Sequence, residues 1–436
     1  MSTFKQCHVM AKPSSSVCNL DCTYCFYLEK ENLYPERKAR WQMSDETLEA
    51  YVKQYIDANS GSESIEFSWQ GGEPTMMGLD FFRKAVELQH KHKKNHRITN
   101  AFQTNGLLID DEWCEFFKQH NFLIGVSIDG PAHLHDHFRV TRAGKASHDK
   151  VMAAITKMKK HGVDFNTLTV LNSENVKYPE EVYDFLVGIG STFLQFIPIV
   201  EREAKQKTEE GLFLVSPEYQ AEADVTEWSV PSLAYGEFLN RVFDRWVKKD
   251  VGRIFVNTFD STLATWCNEP SGICVQSETC GHAFILESNG DMYNCDHFVY
   301  PEHKLGNIHS DPIQDLNQTD KAVKFGMDKK DKLTLQCRRC PYRMQCHGGC
   351  PKHRFARSEA GQEGHSYFCT GYYAFFKHTE TKMKQMRDLL MRGRPASDII
   401  YLNLQQKMVA NTFTGGRNSP CPCGSGKKVK RCCQIV

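Results

Sequence analysis
The sequence predicts an α/β fold: a parallel sheet built from βα units, then a small cysteine-rich domain, then a compact cysteine-rich tail. Three observations carry this. Across residues 1–250, apolar β-rich runs alternate with helical patterns. From about Ile254 the alternation stops, and Gly and turn residues interrupt every run. Fifteen of the 18 cysteines in the 436-residue chain fall within 18–25, 274–369 and 421–433.

The strand runs are Ile65–Trp69, Ile98–Gln103, Phe122–Ile128, Phe165–Leu171 and Phe193–Ile199. Such apolar runs suit strands covered on both faces, which favours a parallel sheet, wound open or closed into a barrel. Between them, Ser44 is a good N-cap for a helix over residues 45–58. Ser147 precedes a second helix over residues 148–162, with Gly162 as its C-cap. Residues 178–190 make a third helical pattern, and a charged helical segment follows Tyr373. The run Lys91-His92-Lys93-Lys94 reads as a solvated helix end. In folds of this class the chemistry sits at the C-terminal ends of the strands. That rule selects the loops Gln70-Gly71-Gly72-Glu73-Pro74, Thr104-Asn105-Gly106 and Asp129-Gly130-Pro131. The expected boundaries are 1–250 for the barrel, 251–385 for the cysteine-rich domain, 386–415 for a linker and 416–436 for the tail.

A formal net charge of +1 gives no electrostatic reason to expect nucleic acid as a partner. No run of 18 apolar residues occurs, so no membrane span is expected. The first residues, MSTFKQCHVMAKPSSS, lack the pattern of a secretory signal. The expected location is therefore the cytoplasm, which keeps thiols reduced. The cysteines then read as metal or cluster ligands rather than disulfides.

Cys18, Cys22 and Cys25 are spaced C-x3-C-x2-C. A cubane cluster or a tetrahedral metal wants four ligands, so three thiolates leave one position open, as a reactive site requires. The competing reading is a structural zinc site completed by Cys7 or a His. The spacing, with Phe26 directly after the last cysteine, resembles the signature of the radical S-adenosylmethionine enzymes. The resemblance implies a [4Fe-4S] cluster on these three cysteines, with S-adenosylmethionine on the open iron. It also implies that the turn Gly71-Gly72-Glu73-Pro74 holds the cosubstrate's ammonium. Asn105, Ser127 and Asp129 would contact the cosubstrate from the barrel rim, and Arg139 or Arg142 would neutralise its carboxylate.

The later cysteines include C-x2-C-x5-C-x3-C-(18)-C from Cys337 to Cys369, preceded by Cys274, Cys280 and Cys295. Eight thiolates make two complete sets of four, which suits electron transfer or structure; two zinc ribbons are the alternative. The pattern resembles the SPASM extension of radical enzymes that modify peptides, and within it the anaerobic sulfatase-maturating enzymes. The architecture implied is a partial (β/α)6 TIM-like barrel followed by a SPASM domain. The resemblance implies one auxiliary [4Fe-4S] cluster on Cys274, Cys280, Cys295 and Cys350, and another on Cys337, Cys340, Cys346 and Cys369. It makes Asp296, directly after Cys295, the catalytic base, and it puts Tyr27, Gln70 and Gln103 in the substrate pocket.

Cys421, Cys423, Cys432 and Cys433 form C-x-C-x8-C-C, which reads as a zinc knuckle and resembles the SEC-C module. Cys7, Cys114 and Cys267 remain and read as ordinary buried thiols. The implied reaction is oxidation of a Cys or Ser in an unfolded sulfatase to formylglycine, begun by a 5′-deoxyadenosyl radical. An electron donor such as flavodoxin or ferredoxin is implied as a partner. The alternative within the same architecture is a maturase that forms a thioether or carbon–carbon crosslink in a peptide.

Overall fold
The computed structural model describes residues 6–36, 40–404, 416–421 and 426–431. Six strands run parallel in chain order: β1 (His8–Lys12), β2 (Ser64–Trp69), β3 (Arg97–Thr104), β4 (Phe122–Ser127), β5 (Phe165–Leu171) and β6 (Phe193–Pro198). A separate hairpin joins β7 (Arg202–Ala204) to β8 (Ala223–Val225). β9 (Phe255–Val256) adds parallel to β6 at one edge. At the other edge β10 (Ala283–Glu287) pairs parallel with β1 and antiparallel with β11 (Asp291–Tyr293). β12 (Lys304–Asn307) then pairs antiparallel with β11 and closes the order β12-β11-β10-β1-β2-β3-β4-β5-β6-β9. The result is the expected α/β class, with a mostly parallel sheet. Strands from the cysteine-rich region extend both edges of the sheet, so Cys295 and Asp296, just beyond β11, stand beside the end of β1.

The five strand runs read from the sequence are present within one or two residues of the expected ends. β1 and β7–β12 are additional. β1 is five residues long, opens on His8 and closes on Lys12, so no apolar run announces it. Ser44 does cap the helix Asp45–Ala58, accepting from the Thr47 amide at 3.1 Å. Ser147 does not cap His148–His161; its hydroxyl donates instead to the Arg139 carbonyl at 2.7 Å. Gly162 ends that helix in the left-handed region, at φ 65°, which glycine adopts without strain.

The core lies between the sheet and its helices. Trp69, Phe82, Phe102 and Phe117 are almost fully buried there, each contributing roughly 1.5–3 kcal/mol or more by area. Trp69 donates to Asn100 at 2.8 Å, so its indole N–H is satisfied. On the far side, the helix Ser232–Lys249 packs against the helix Cys369–Met391. A Cβ on Gly371 would meet the Ser232 carbonyl at 2.1 Å, so only glycine permits this approach. The contact fixes Cys369, the first residue of its helix, relative to the barrel. Cys7 and Cys114 are buried as expected, while Cys267 is half-buried. No helix among the described residues is long and apolar enough to cross a membrane.

Candidate active site
The loop after β1 carries the first three cysteines, and it is clamped on both sides. On one side the Gly72 amide donates to the Ser15 carbonyl at 2.7 Å, and the Glu73 amide to the Val17 carbonyl at 2.9 Å. A Cβ on Gly72 would stand 2.2 Å from the Val17 oxygen, so the glycine exists to let two backbones meet. On the other side Asp21 and Thr23 donate to the carbonyls of Val140 and Phe138 at 2.9 and 3.0 Å.

Glu73 is buried and accepts four hydrogen bonds, from the Thr75 amide and hydroxyl, the Thr104 hydroxyl and the Asn105 amide. Its carboxylate thus ties the loops after β2 and β3 together. Asn105 turns its side-chain amide to Asn19 at 2.7 Å, within the cysteine loop. The Ser127 hydroxyl accepts from Gln103 at 2.9 Å.

Asp129 departs from the expected direct contact. It has no exposed surface, and its carboxylate accepts from Arg139 and the Val170 amide, each at 3.0 Å, and from the Tyr24 hydroxyl. Arg139, not Asp129, lines the cavity. Arg142 is exposed and donates to the Cys18 carbonyl at 2.9 Å. The two arginines left open by the sequence are therefore separated by position.

A cavity of about 480 Å3 opens at these strand ends. Cys18, Cys22 and Cys25 line it, as do Cys274, Cys280, Cys295, Cys350 and Asp296 from the cysteine-rich domain. A second cavity, of about 460 Å3, is lined by Cys337, Cys340, Cys346 and Cys369. The structure thus brings the eight later cysteines together in the two groups of four implied by the resemblance. Among the described residues all these thiols are free.

The donor sets fit iron–sulfur ligation. Burial, joined by the charge of Glu73, pushes the Cys18 thiol up to about 12. Burial pushes Cys22 to about 12 against the pull of Arg139. In the quartets, burial and then the neighbouring cysteines do the same to Cys280 and Cys369, each to about 12. Grouped thiols that resist ionising one another are stable as thiolates only around a cationic centre. Of the tail cysteines, Cys421 is buried, while Cys423, Cys432 and Cys433 lie outside the described residues.

Asp296 pairs with Lys12, the last residue of β1. Burial opposes ionisation of Asp296, but Lys12 and His297 hold its carboxyl down at about 2. Lys12 is 2% exposed and lies 3.3 Å above the Tyr27 ring. The sequence reading missed Lys12, because nothing local marks a lysine whose partner is 284 residues away. Tyr27 departs from the substrate-pocket expectation. It is buried, it does not line the cavity, and its hydroxyl donates to Glu287 at the end of β10. Gln70 and Gln103 both line the cavity, and the buried Gln70 Oε1 has no hydrogen-bond partner.

The Radical SAM superfamily matches residues 13–186, the SPASM iron-sulfur cluster-binding domain residues 274–341, and the SEC-C motif residues 417–435. The class is therefore a radical S-adenosylmethionine protein with an iron–sulfur extension. The chain is 44% identical over 396 residues to a serine-type anaerobic sulfatase-maturating enzyme of Bacteroides thetaiotaomicron, covering 91% of this chain and 95% of that one. It is 35% identical over 379 residues to a cysteine-type enzyme of Clostridium perfringens, covering 85% and 95%. Among solved structures, native anSMEcpe with bound AdoMet and Cp18Cys peptide superposes with a TM-score of 0.76 at 33% identity, covering 88% of this chain and 99% of that one. The chain belongs to the anaerobic sulfatase-maturating enzymes.

Proposed function
We propose that the shared cavity is where this radical S-adenosylmethionine oxidoreductase converts a Cys or Ser side chain of a sulfatase into formylglycine, with Asp296 as the base. The observation that carries the reading is that Asp296 lines the same cavity as Cys18, Cys22 and Cys25. Those three cysteines would hold a [4Fe-4S] cluster with an open position. Gly71, Gly72, Glu73, Asn105, Ser127 and Arg139 would surround S-adenosylmethionine, with Asp129 holding Arg139 and Tyr24 behind them. The cluster and S-adenosylmethionine, when bound there, would supply a 5′-deoxyadenosyl radical to accept a hydrogen atom. Two further [4Fe-4S] clusters belong to the two cysteine quartets, and zinc to Cys421, Cys423, Cys432 and Cys433. The domain limits are 1–250, 251–385, 386–415 and 416–436.

The chain's own part is positional and acid–base. Loss of two hydrogens from the target side chain removes a hydrogen atom, a proton from its hydroxyl or thiol, and one electron, which the cluster of the nearer cysteine quartet would accept. Ser gives the aldehyde directly, whereas Cys gives a thioaldehyde that water would hydrolyse with release of hydrogen sulfide. Asp296 is ionised at neutral pH because Lys12 faces it, so it accepts that proton at a carboxylate oxygen. Gln70, with its unpaired oxygen on the cavity, receives a donor from the peptide backbone. A side chain must enter the cavity to reach Asp296, so the substrate is an unfolded sulfatase segment met in the cytoplasm. A ferredoxin or flavodoxin supplies electrons.

The test is anaerobic incubation with S-adenosylmethionine, a strong reductant and peptides carrying Cys-x-Pro-x-Arg or Ser-x-Pro-x-Arg, with mass spectrometry after hydrazide trapping. An aldehyde that disappears in Asp296→Asn supports the reading. Cosubstrate cleavage with both peptides unchanged overturns it.

A further inference from the structure
The described residues contain four buried lysines, and three of them have evident electrostatic company. Lys12 pairs with Asp296 and Lys352 with Glu201. Lys30 lies among the rings of Phe26, Tyr27 and Tyr300, in the field of Asp296. Lys329 differs. It is 1% exposed and its ammonium donates only to the carbonyls of Cys274 and Val275. Its neighbours Lys330 and Lys332, one on either side of Asp331, instead find surface carboxylates at Glu278 and Asp328.

Arg354 repeats the pattern. Its guanidinium donates to the carbonyls of Gly348, Lys329, His347 and Gly349, and to no carboxylate among the described residues. The thiols whose charge it feels come from both quartets: Cys337 and Cys346 from one, Cys350 and Cys280 from the other. Lys329 feels Cys280, Cys350 and Cys274. The contact is built into the backbone. The Cys280 amide donates to the Gly326 carbonyl at 3.0 Å, and a Cβ on Gly326 would stand 2.8 Å from the Cys280 oxygen. One turn of helix therefore sets Lys329 against the first quartet.

A buried cation with only neutral acceptors is costly, and it persists when a negative group lies beside it. Four thiolates around an iron–sulfur cluster are such a group. We infer that Lys329 and Arg354 are the counter-ions of the two four-cysteine sites and raise the reduction potentials of the clusters held there. One-electron reduction adds a negative charge to the site, and a fixed cation nearby stabilises that reduced form. The three-cysteine site has no such buried surplus. Arg139 is paired with Asp129, Glu73 adds a further carboxylate, and Arg142, which donates to the Cys18 carbonyl, is exposed and screened by solvent. The contrast sets an electron-accepting pair of sites against a more strongly reducing one. This inference rests on the assignment of the eight cysteines as cluster ligands.

The experiment uses the full chain with Cys18, Cys22 and Cys25 replaced by Ala, so that only the auxiliary sites fill on reconstitution with iron and sulfide. Dithionite titration with mediators, followed by electron paramagnetic resonance, reads the potentials. Lys329→Met, Lys329→Gln and Arg354→Gln are expected to retain about eight irons and to titrate at more negative potentials. Lys329→Arg and Arg354→Lys are expected to stay near the parent. Loss of iron in the neutral Lys329 variants with retention in Lys329→Arg also supports a counter-ion. Unchanged potentials at full iron overturn the inference, as does equal loss of iron in Lys329→Arg, which would mark a packing role. If the parent itself binds far fewer than about eight irons, the ligand assignment fails before any cation is tested.

Discussion
The two walls of the cavity use their polar groups differently. On the wall of the first three cysteines, side chains are spent on one another: Glu73 takes four donors, and Asp129 takes Tyr24, Arg139 and a backbone amide. On the wall that the cysteine-rich domain supplies, Asn294 Oδ1, His297 Nδ1, His353 Nδ1 and Gln276 Oε1 are buried without hydrogen-bond partners. Buried polar groups are normally satisfied, so unpaired ones facing a cavity mark where a ligand completes the set. On the proposed function, the first wall would be preorganised for a cosubstrate that is the same in every turnover. The second would be finished by the groups that bind there, the cluster on Cys274, Cys280, Cys295 and Cys350 and the peptide. Gln70 crosses the division, since it belongs to the first wall by its loop and to the second by its unpaired oxygen.

The sharpest way to separate the walls is to remove one group from each. Cys25→Ala is expected to abolish cleavage of S-adenosylmethionine and peptide oxidation together, and to lower iron by about four per chain, read by metal analysis. Asp296→Asn is expected to leave cosubstrate cleavage in place while peptide oxidation falls by roughly 10²–10⁴-fold, the usual worth of a positioned base. Equal losses of both activities in Asp296→Asn would break the comparison.

Next in size is Asp129→Asn. Arg139 would be left buried without its counter-charge, a loss of about 3–5 kcal/mol, read by denaturant unfolding of the apo chain. Because Tyr24 loses its acceptor as well, the cysteine loop should bind iron less tightly. A variant as stable as the parent would show that the first wall is not held by this pair.

How much of this was legible in the sequence follows from the range of each interaction. The five central strands were readable because each is a continuous apolar run between turn residues. The cysteines were readable because ligand spacing is local. β1 was not readable, since Lys12 is an interior residue only by virtue of Asp296, which the fold brings beside it through the parallel pairing of β1 with β10. Tyr27 and Asp129 lie in the loops that the sequence marks, but their polar atoms turn to Glu287 and to Arg139 and Tyr24. Whether a polar side chain at a strand end faces the cavity or turns back to a buried partner depends on residues such as Glu287, far away in sequence. The same limit hid Lys329, one of several lysines in a charged helix and the one that packs inward.

The smallest expected effect tests the division at its crossing point. Gln70→Leu replaces an unpaired buried acceptor by an apolar group of similar size. Such a change removes a desolvation cost without creating a cavity, so the free protein should unfold within about 1 kcal/mol of the parent, in either direction. If a peptide donor satisfies the Gln70 oxygen during turnover, KM for the peptide should rise by about tenfold, the equivalent of one ordinary hydrogen bond, with cosubstrate cleavage unchanged. A KM shift for S-adenosylmethionine instead would move Gln70 to the first wall. The unpaired oxygen would then belong to the cosubstrate's site, and the boundary between the preorganised and the unfinished surface would run between Gln70 and Asn294.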